Sequence, residues 1–260
     1  MGKLADWIRQ ERPSLFVSDV SVEAATLARL MGTPVVVAAM RGDRGDEAHR
    51  LAYDLADALI APWPQSLPEP HWPGDWYAKT LHTGSISRFD GRPRPAHHND
   101  RGPCRKEVAV LLGAGGTDVT DQQIEETVRA TPEWSWTFLG GADWSEDPWP
   151  VLCRADVVVT HAGQNAVAEC AAARVAAVVI PQDRPHGEQY ATAHALHSAG
   201  LATVRQSWPA AHLWSELLAE ATARPERWAC WSHGDGARRA GRLLTELAQR
   251  VPRRSACARR

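Results

Sequence analysis

The chain has 260 residues, with 29 Lys+Arg against 31 Asp+Glu and a formal net charge of -2, a length that suggests one large domain or two modest ones. Hydrophobic residues at 44% and charged residues at 23% exclude wholesale disorder, and the near-neutral balance supplies no electrostatic reason to bind nucleic acid. The longest apolar runs, such as 175–180, fall far short of the roughly 18 residues that cross a bilayer, and the N-terminus lacks the apolar core of a signal peptide.

In chain order, 15–19 reads as a strand, 22–31 as a helix ended by Gly32, 34–39 as a strand, 46–55 as a helix and 58–60 as a strand. Residues 62–105 then hold much of the Pro, with Gly, His and Arg scattered and little periodicity, which reads as a linker with one short strand. A second series follows: strand 107–112, glycine loop 113–116, helix 121–130, strand 135–139, then strands 156–159, 175–180 and 201–204 with helices between them. A long terminal helix, 236–251, carries many Arg. Val- and Ile-rich runs alternating with helices are the βαβ signature of parallel sheets. The expected architecture is α/β, with two Rossmann-like domains. The segments are 1–65 (an incomplete N-terminal domain of about three strands, where five or six are usual), 66–105 (linker), 106–220 (ligand-binding domain) and 221–260 (terminal helix and basic tail). Five cysteines, an odd count with no CxxC pair, favour reduced thiols in a cytoplasmic protein over a disulfide or zinc framework. The Trp count of 12 beside three Lys reads as genomic base composition, so abundance alone makes no Trp functional.

The most informative stretch is His161-Ala-Gly163-Gln164-Asn165-Ala-Val-Ala-Glu169, directly after a buried strand. The strand delivers His161 at its carboxyl end, Gly163 lets the chain turn into a helix, and the helix N-terminus offers free N–H groups and partial positive charge to a diphosphate. Glu169 falls four residues after Asn165, on the same helical face one turn deeper, where a carboxylate can accept both hydroxyls of a ribose. After the next strand, the loop Pro181-Gln182-Asp183-Arg184-Pro185-His186-Gly187-Glu188-Gln189 lies on the same sheet edge, so Glu188 and Gln189 are placed to meet a sugar on that diphosphate.

This pattern, HxGxNxxxE followed by Pro and an acidic–Gln pair, resembles the donor box of GT-B nucleotide-sugar glycosyltransferases. It is similar both to the plant-type secondary-product enzymes and to the family of the cell-wall N-acetylglucosaminyltransferase, whose domain is the glycosyltransferase family 28 C-terminal domain. The resemblance is strongest over 106–205. It implies a hexosyltransferase that works without metal or cofactor, its donor a nucleoside diphosphate sugar such as a UDP-sugar and its acceptor unidentified. It implies diphosphate binding and leaving-group stabilisation at His161, Gly163 and Asn165, ribose binding at Glu169, and sugar binding at Glu188 and Gln189. Trp149 falls in a loop resembling the one that positions the base, with packing or loop anchoring as its structural alternative, and Gly115 and Gly116 fall in one resembling the glycine loop. Gln164 and Ala166 depart from the plant-type box, where Trp and Ser are usual.

In related inverting enzymes a His in the first βα loop is the base, steadied by an Asp at the end of a later strand. Asp19 resembles that Asp, with capping of the helix near Val22 as its structural alternative. The first histidine is His49, so no base precedes Asp19, and a truncated N-terminus or a partner chain supplying the missing half is expected. Arg41, Arg44 and His49 are the fallback acceptor-side candidates. His194 and His197, at i, i+3 spacing, lack a third metal ligand. The Arg of the terminal helix and tail make either a solvated face or a peripheral contact with an anionic membrane. Two alternatives to a transferase stand: a non-catalytic nucleotide-sugar binding subunit, and a nucleotide-sugar epimerase or hydrolase.

Overall fold

The structure, a computed structural model, describes residues 1–95, 106–112, 116–140 and 145–250. It divides into two compact units, one of Met1–Thr83 with the segment from Gly236 onward, the other Gly84–Asp235.

The first unit is built on four parallel strands in the order β1 (Phe16–Asp19), β2 (Val35–Ala38), β3 (Ala58–Ala61), β4 (Thr80–His82). Four helices accompany them: α1 (Gly2–Glu11), α2 (Val22–Leu30), α3 (Glu47–Leu55) and α4 (Gly74–Ala78). Every residue of β3 and the three valines of β2 are buried, as expected of parallel strands covered on both faces. β1 lies at the sheet edge, with Val17 exposed. Ser21, not Asp19, caps α2: its Oγ accepts from the Ala24 amide at 3.2 Å.

The segment expected to be a linker is ordered over its first part. Residues 66–83 belong to the first unit; the one short strand expected in this stretch is β4, which joins the sheet as its fourth strand, and α4 was not expected. The reason is aromatic packing that no local period reveals. Trp63, Trp72 and Trp76 are buried, and Trp72 meets Trp63, Trp76 and Tyr53 edge-on at ring distances of 5.6 to 5.8 Å. Residues 84–95 belong to the second unit.

The second unit contains β5 (Lys106–Leu111), α5 (Asp121–Ala130), β6 (Trp134–Leu139), α6 (Trp149–Arg154), β7 (Val157–Thr160), α7 (Gln164–Ala173), β8 (Ala176–Val179), α8 (Glu188–Ser198), β9 (Thr203–Val204) and α9 (Trp214–Ala223). All five strands are parallel, in the order β6-β5-β7-β8-β9. The core joins Val108, Val110, Val157, Val159 and Val178 to Trp214 and Leu218 of α9. α5 starts where the sequence places it because Thr120 and Gln123 form a reciprocal capping box. The chain leaves β5 to form β6 on one side and then β7 on the other. The carboxyl ends of β5 and β7 therefore flank a topological switch point, where doubly wound sheets leave a crevice for a ligand.

The final helix, α10 (Gly236–Arg250), belongs with the first unit, where Arg239 donates to the Thr83 carbonyl at 3.1 Å. Among the described residues no helix is long and apolar enough to cross a membrane.

Candidate functional site

His161 follows β7 immediately and is buried. Its Nδ1–H donates to the Ile180 carbonyl at 2.9 Å; a carbonyl only accepts, so the lone pair sits on Nε2. That Nε2 is buried with no hydrogen-bond partner. Burial holds the imidazole below its ordinary pKa of 6.5, the Ile180 bond opposes this, and the nearby charge of Arg184 reinforces it. Gly163 is the N-cap of α7 and offers no side chain to cap it, which leaves first-turn N–H groups to a ligand.

Beside this helix start lies a cavity of about 410 Å³ at the switch point. Leu111, Leu112 and Leu139, from the ends of β5 and β6, form an apolar wall, while Asn165 and Glu169 present one face of α7. Glu169 is 8% exposed. Burial pushes its carboxyl above the usual glutamate pKa, and Arg88 opposes the rise, its Nε–H donating to Oε1 at 2.9 Å. Arg88 also lines the cavity and donates from Nη1 to the Glu146 carbonyl. Sequence reasoning missed Arg88 because it lies 81 residues upstream of Glu169, in a segment with no period.

A polar cluster stands at the adjoining loops. Gln189 is buried and its Oε1 accepts from the Gln182 amide at 2.9 Å, tying the first turn of α8 to the end of β8. Gln182 Nε2 reaches Thr117 Oγ1 at 3.4 Å, and Arg184 Nη2 reaches Gln182 Oε1 at 3.0 Å and the Gly116 carbonyl at 3.3 Å. Gln182 and Arg184 were not singled out from the sequence, since nothing local distinguishes them from the Glu188 and Gln189 beside them.

The structure thus sorts the expected residues into neighbouring groups on one sheet edge. Asn165 and Glu169 line the cavity; Gly163 begins α7 next to them; His161, Gln189 and Gly116 belong to the loop region beside it. Gln164 is exposed, and Glu188 is half-buried at the first position of α8. Gly115 lies outside the described residues. Trp149 takes its structural alternative and packs: it is buried, its ring centroid is 5.1 Å from that of Phe89, and its Nε1–H donates to the Pro93 carbonyl.

In the first unit, Asp19 is exposed at the carboxyl end of β1. Arg41 and Arg44, expected to face an acceptor, are buried. Arg41 donates to Glu69 Oε1 at 2.7 Å and to the Leu67 carbonyl at 2.6 Å; Arg44 donates to the Arg41 carbonyl at 3.3 Å. They order the loop after β2 instead. His49 Nδ1 pairs with Asp46 Oδ2 at 2.6 Å. His194 and His197 are exposed on α8, and Arg238, Arg242 and Arg250 on α10.

Residues 107–223 match the model of the glycosyltransferase family 28 C-terminal domain. The UDP-N-acetylglucosamine–N-acetylmuramyl-(pentapeptide) pyrophosphoryl-undecaprenol N-acetylglucosamine transferase of Cupriavidus metallidurans is 28% identical over 226 residues, 79% of this chain and 60% of the relative. The enzyme of the same name from Cupriavidus pinatubonensis is 28% identical over 195 residues, 67% of this chain and 54% of the relative. The chain therefore spans a little over half the length of these curated relatives. Among solved structures, Acinetobacter baumannii MurG superposes with a TM-score of 0.67 at 16% identity, covering 94% of this chain and 77% of that one. The glycotransferase of kitacinnamycin gives 0.64 at 19% identity, covering 95% and 76%. A UDP-N-acetylglucosamine 2-epimerase structure from Listeria monocytogenes gives 0.62 at 13%, covering 97% and 79%. At these identities the likeness establishes the fold, which is GT-B.

Proposed function

We propose that this GT-B chain is a glycosyltransferase that moves a hexose-type sugar from a nucleoside diphosphate sugar, a UDP-sugar first among them, to an acceptor hydroxyl. One observation carries the reading: a largely apolar cavity holding the buried Glu169 adjoins the uncapped start of α7, which follows a buried His161 whose Nε2 has no partner. The cavity accommodates the nucleoside, with Glu169 accepting the ribose hydroxyls and the leucine wall against the base. The α7 amides receive the diphosphate. His161 is neutral at rest; the arriving anion favours its protonation, after which Nε2–H donates to a phosphate oxygen.

In the transfer, the bond between the sugar's anomeric carbon and the diphosphate breaks, and its electron pair stays on the phosphate oxygen. The acceptor oxygen forms the new bond to that carbon, and its proton passes to a base. Asp19 is the position this reading gives to an orienter of that base, Glu188 and Gln189 are given the sugar hydroxyls, and no cofactor or metal is assigned. The proposed setting is the cytoplasm, with the exposed arginine face of α10 directed to an anionic membrane surface.

A second reading, a nucleotide-sugar binding subunit that turns over only with a partner chain, draws on the uncovered edge of β1, where Val17 and Val20 are 46% and 52% exposed. Calorimetric titration with nucleoside diphosphates and their sugars, repeated with Glu169→Ala, tests both. Binding that Glu169→Ala abolishes supports the donor site, and unchanged affinity refutes it. Binding accompanied by no sugar transfer to any hydroxyl acceptor or water favours the subunit.

A further inference from the structure

Two irregular stretches of chain help to line the cavity: Ile86, Ser87 and Arg88 from the segment after β4, and Ser145 and Pro148 from the loop that leads into α6. Chain without a helix or a ladder of its own is loosely held, and a wall built from it grips a ligand well only if something fixes it beforehand. The first stretch is folded by two successive turns, the Asp90 amide bonding back to the Ser87 carbonyl at 3.1 Å and the Arg92 amide to the Phe89 carbonyl at 3.0 Å. Gly91, at φ 75°, permits the second. These turns bring Arg88 and Arg92 to the same aromatic ring, their guanidinium carbons 4.7 and 5.6 Å from the centre of Phe89.

The two stretches are fastened to each other. On the cavity side Arg88 donates from Nη1 to the Glu146 carbonyl at 2.9 Å, and beneath it the rings of Phe89 and Trp149 pack together. Away from the cavity Arg92 donates from Nη1 and Nη2 to the two oxygens of Asp147, each at 2.7 Å, a parallel pair of bonds that fixes angle as well as distance. Asp147 Oδ1 also accepts from the Trp149 amide at 3.3 Å, which sets the start of α6. The bonds from Arg92 hold the Asp147 carboxyl below its ordinary pKa, so the pair stays ionised at neutral pH. Neither residue lines the cavity, and the two side chains are 41% and 47% exposed. An ion pair so exposed adds little to folding stability, so what its geometry fixes is the loop against the segment.

Resting on the donor-site reading above, we propose that Arg92 and Asp147 are positioning residues for the nucleoside: their pair latches the 145–148 wall of the cavity to the 86–88 wall at the spacing that grips the donor. They act through Arg88 and Pro148 and touch no part of the ligand. The latch leaves the cavity shaped before the nucleotide arrives, so binding does not have to order two irregular stretches at once.

The experiment measures UDP affinity by calorimetry at fixed ionic strength, together with denaturant midpoints, for the unaltered chain, Arg92→Gln, Asp147→Asn and the double variant. Asp147→Asn keeps an oxygen for the Trp149 amide. Each single change is expected to weaken UDP binding about fivefold and the double variant to weaken it no further, because either change opens the same pair. Denaturant midpoints stay unchanged. If the two residues acted only through their charges, an anionic ligand would bind less well without Arg92 and better without Asp147. Opposite signs in the two single variants therefore overturn the proposal. So do unchanged affinities, losses that add in the double variant, or midpoints that fall in step with affinity. All of these results leave the donor reading standing, whereas failure of the unaltered chain to bind UDP removes both.

Discussion

Arg88 donates through Nε–H to Oε1 of Glu169 across 2.9 Å, and this bond joins the segment after β4 to the α7 side of the cavity. The carboxyl is pulled two ways: burial raises its pKa from the ordinary 4.5 and Arg88 holds it down. Arg88→Met removes the restraint, so the carboxyl should protonate at a higher pH than in the unaltered chain. UDP titrations between about pH 7.5 and 5 should then show affinity lost earlier on acidification in the variant. An identical pH midpoint in both proteins would show that the ion pair does not control the carboxylate.

His161 ties stability to pH. Its folded pKa is depressed below 6.5, so the unfolded chain takes up this proton more readily than the folded one. The contribution is present above pH 6.5 and is lost as pH falls from there through the folded pKa. Denaturant midpoints should drop on acidification, and His161→Asn should flatten that drop. A slope that His161→Asn leaves unaltered would assign it to other groups.

Gly140, just past β6, tolerates no side chain. An added Cβ would stand 2.8 Å from the Leu112 carbonyl oxygen and 3.3 Å from the Leu112 Cβ. Gly140→Ala must therefore displace Leu112, which lines the cavity. The expected cost is about 1–3 kcal/mol of stability, with weaker nucleotide binding at temperatures where the variant is folded. Full affinity in a folded variant would show that the leucine wall does not touch the base.

The Arg41–Glu69 pair is nearly closed to solvent, the two side chains being 5% and 7% exposed. Burial works against the Arg41 charge and Glu69 restores it. Glu69→Gln leaves a buried cation without its counter-charge and should cost about 3–5 kcal/mol in chemical denaturation. Nucleotide affinity, which the proposed donor site assigns to the second unit, should be unaffected in folded protein. A near-neutral change in stability would show that water reaches the pair.

The elements that were legible in the sequence are those whose information is local. β5, β7 and β8 are short, mostly buried apolar runs rich in Val, and α5 is announced by its capping residues, so their positions are visible within a residue or two. α1 was missed, since its ten residues include one buried side chain and its N-cap makes no side-chain bond. The stretch after β3 was read as a linker because Pro and Trp carry no period, and its order comes from rings meeting across the unit. Asn165 and Glu169 share a face of α7 as their spacing requires. Arg88 and Arg184 stayed hidden because Arg supplies nearly all of the chain's positive charge, so neither stands out by type.

By itself the sequence determined the strand–helix alternation, the uncapped glycine start of α7, and the alignment of Asn165 with Glu169, because each depends on neighbours within one or two turns. Only the tertiary structure decided which arginine meets the cavity carboxylate, which arginines are buried as struts, and that Trp149 packs inward. Those outcomes depend on where distant segments converge and what charge or surface must be compensated there, and no local pattern encodes that.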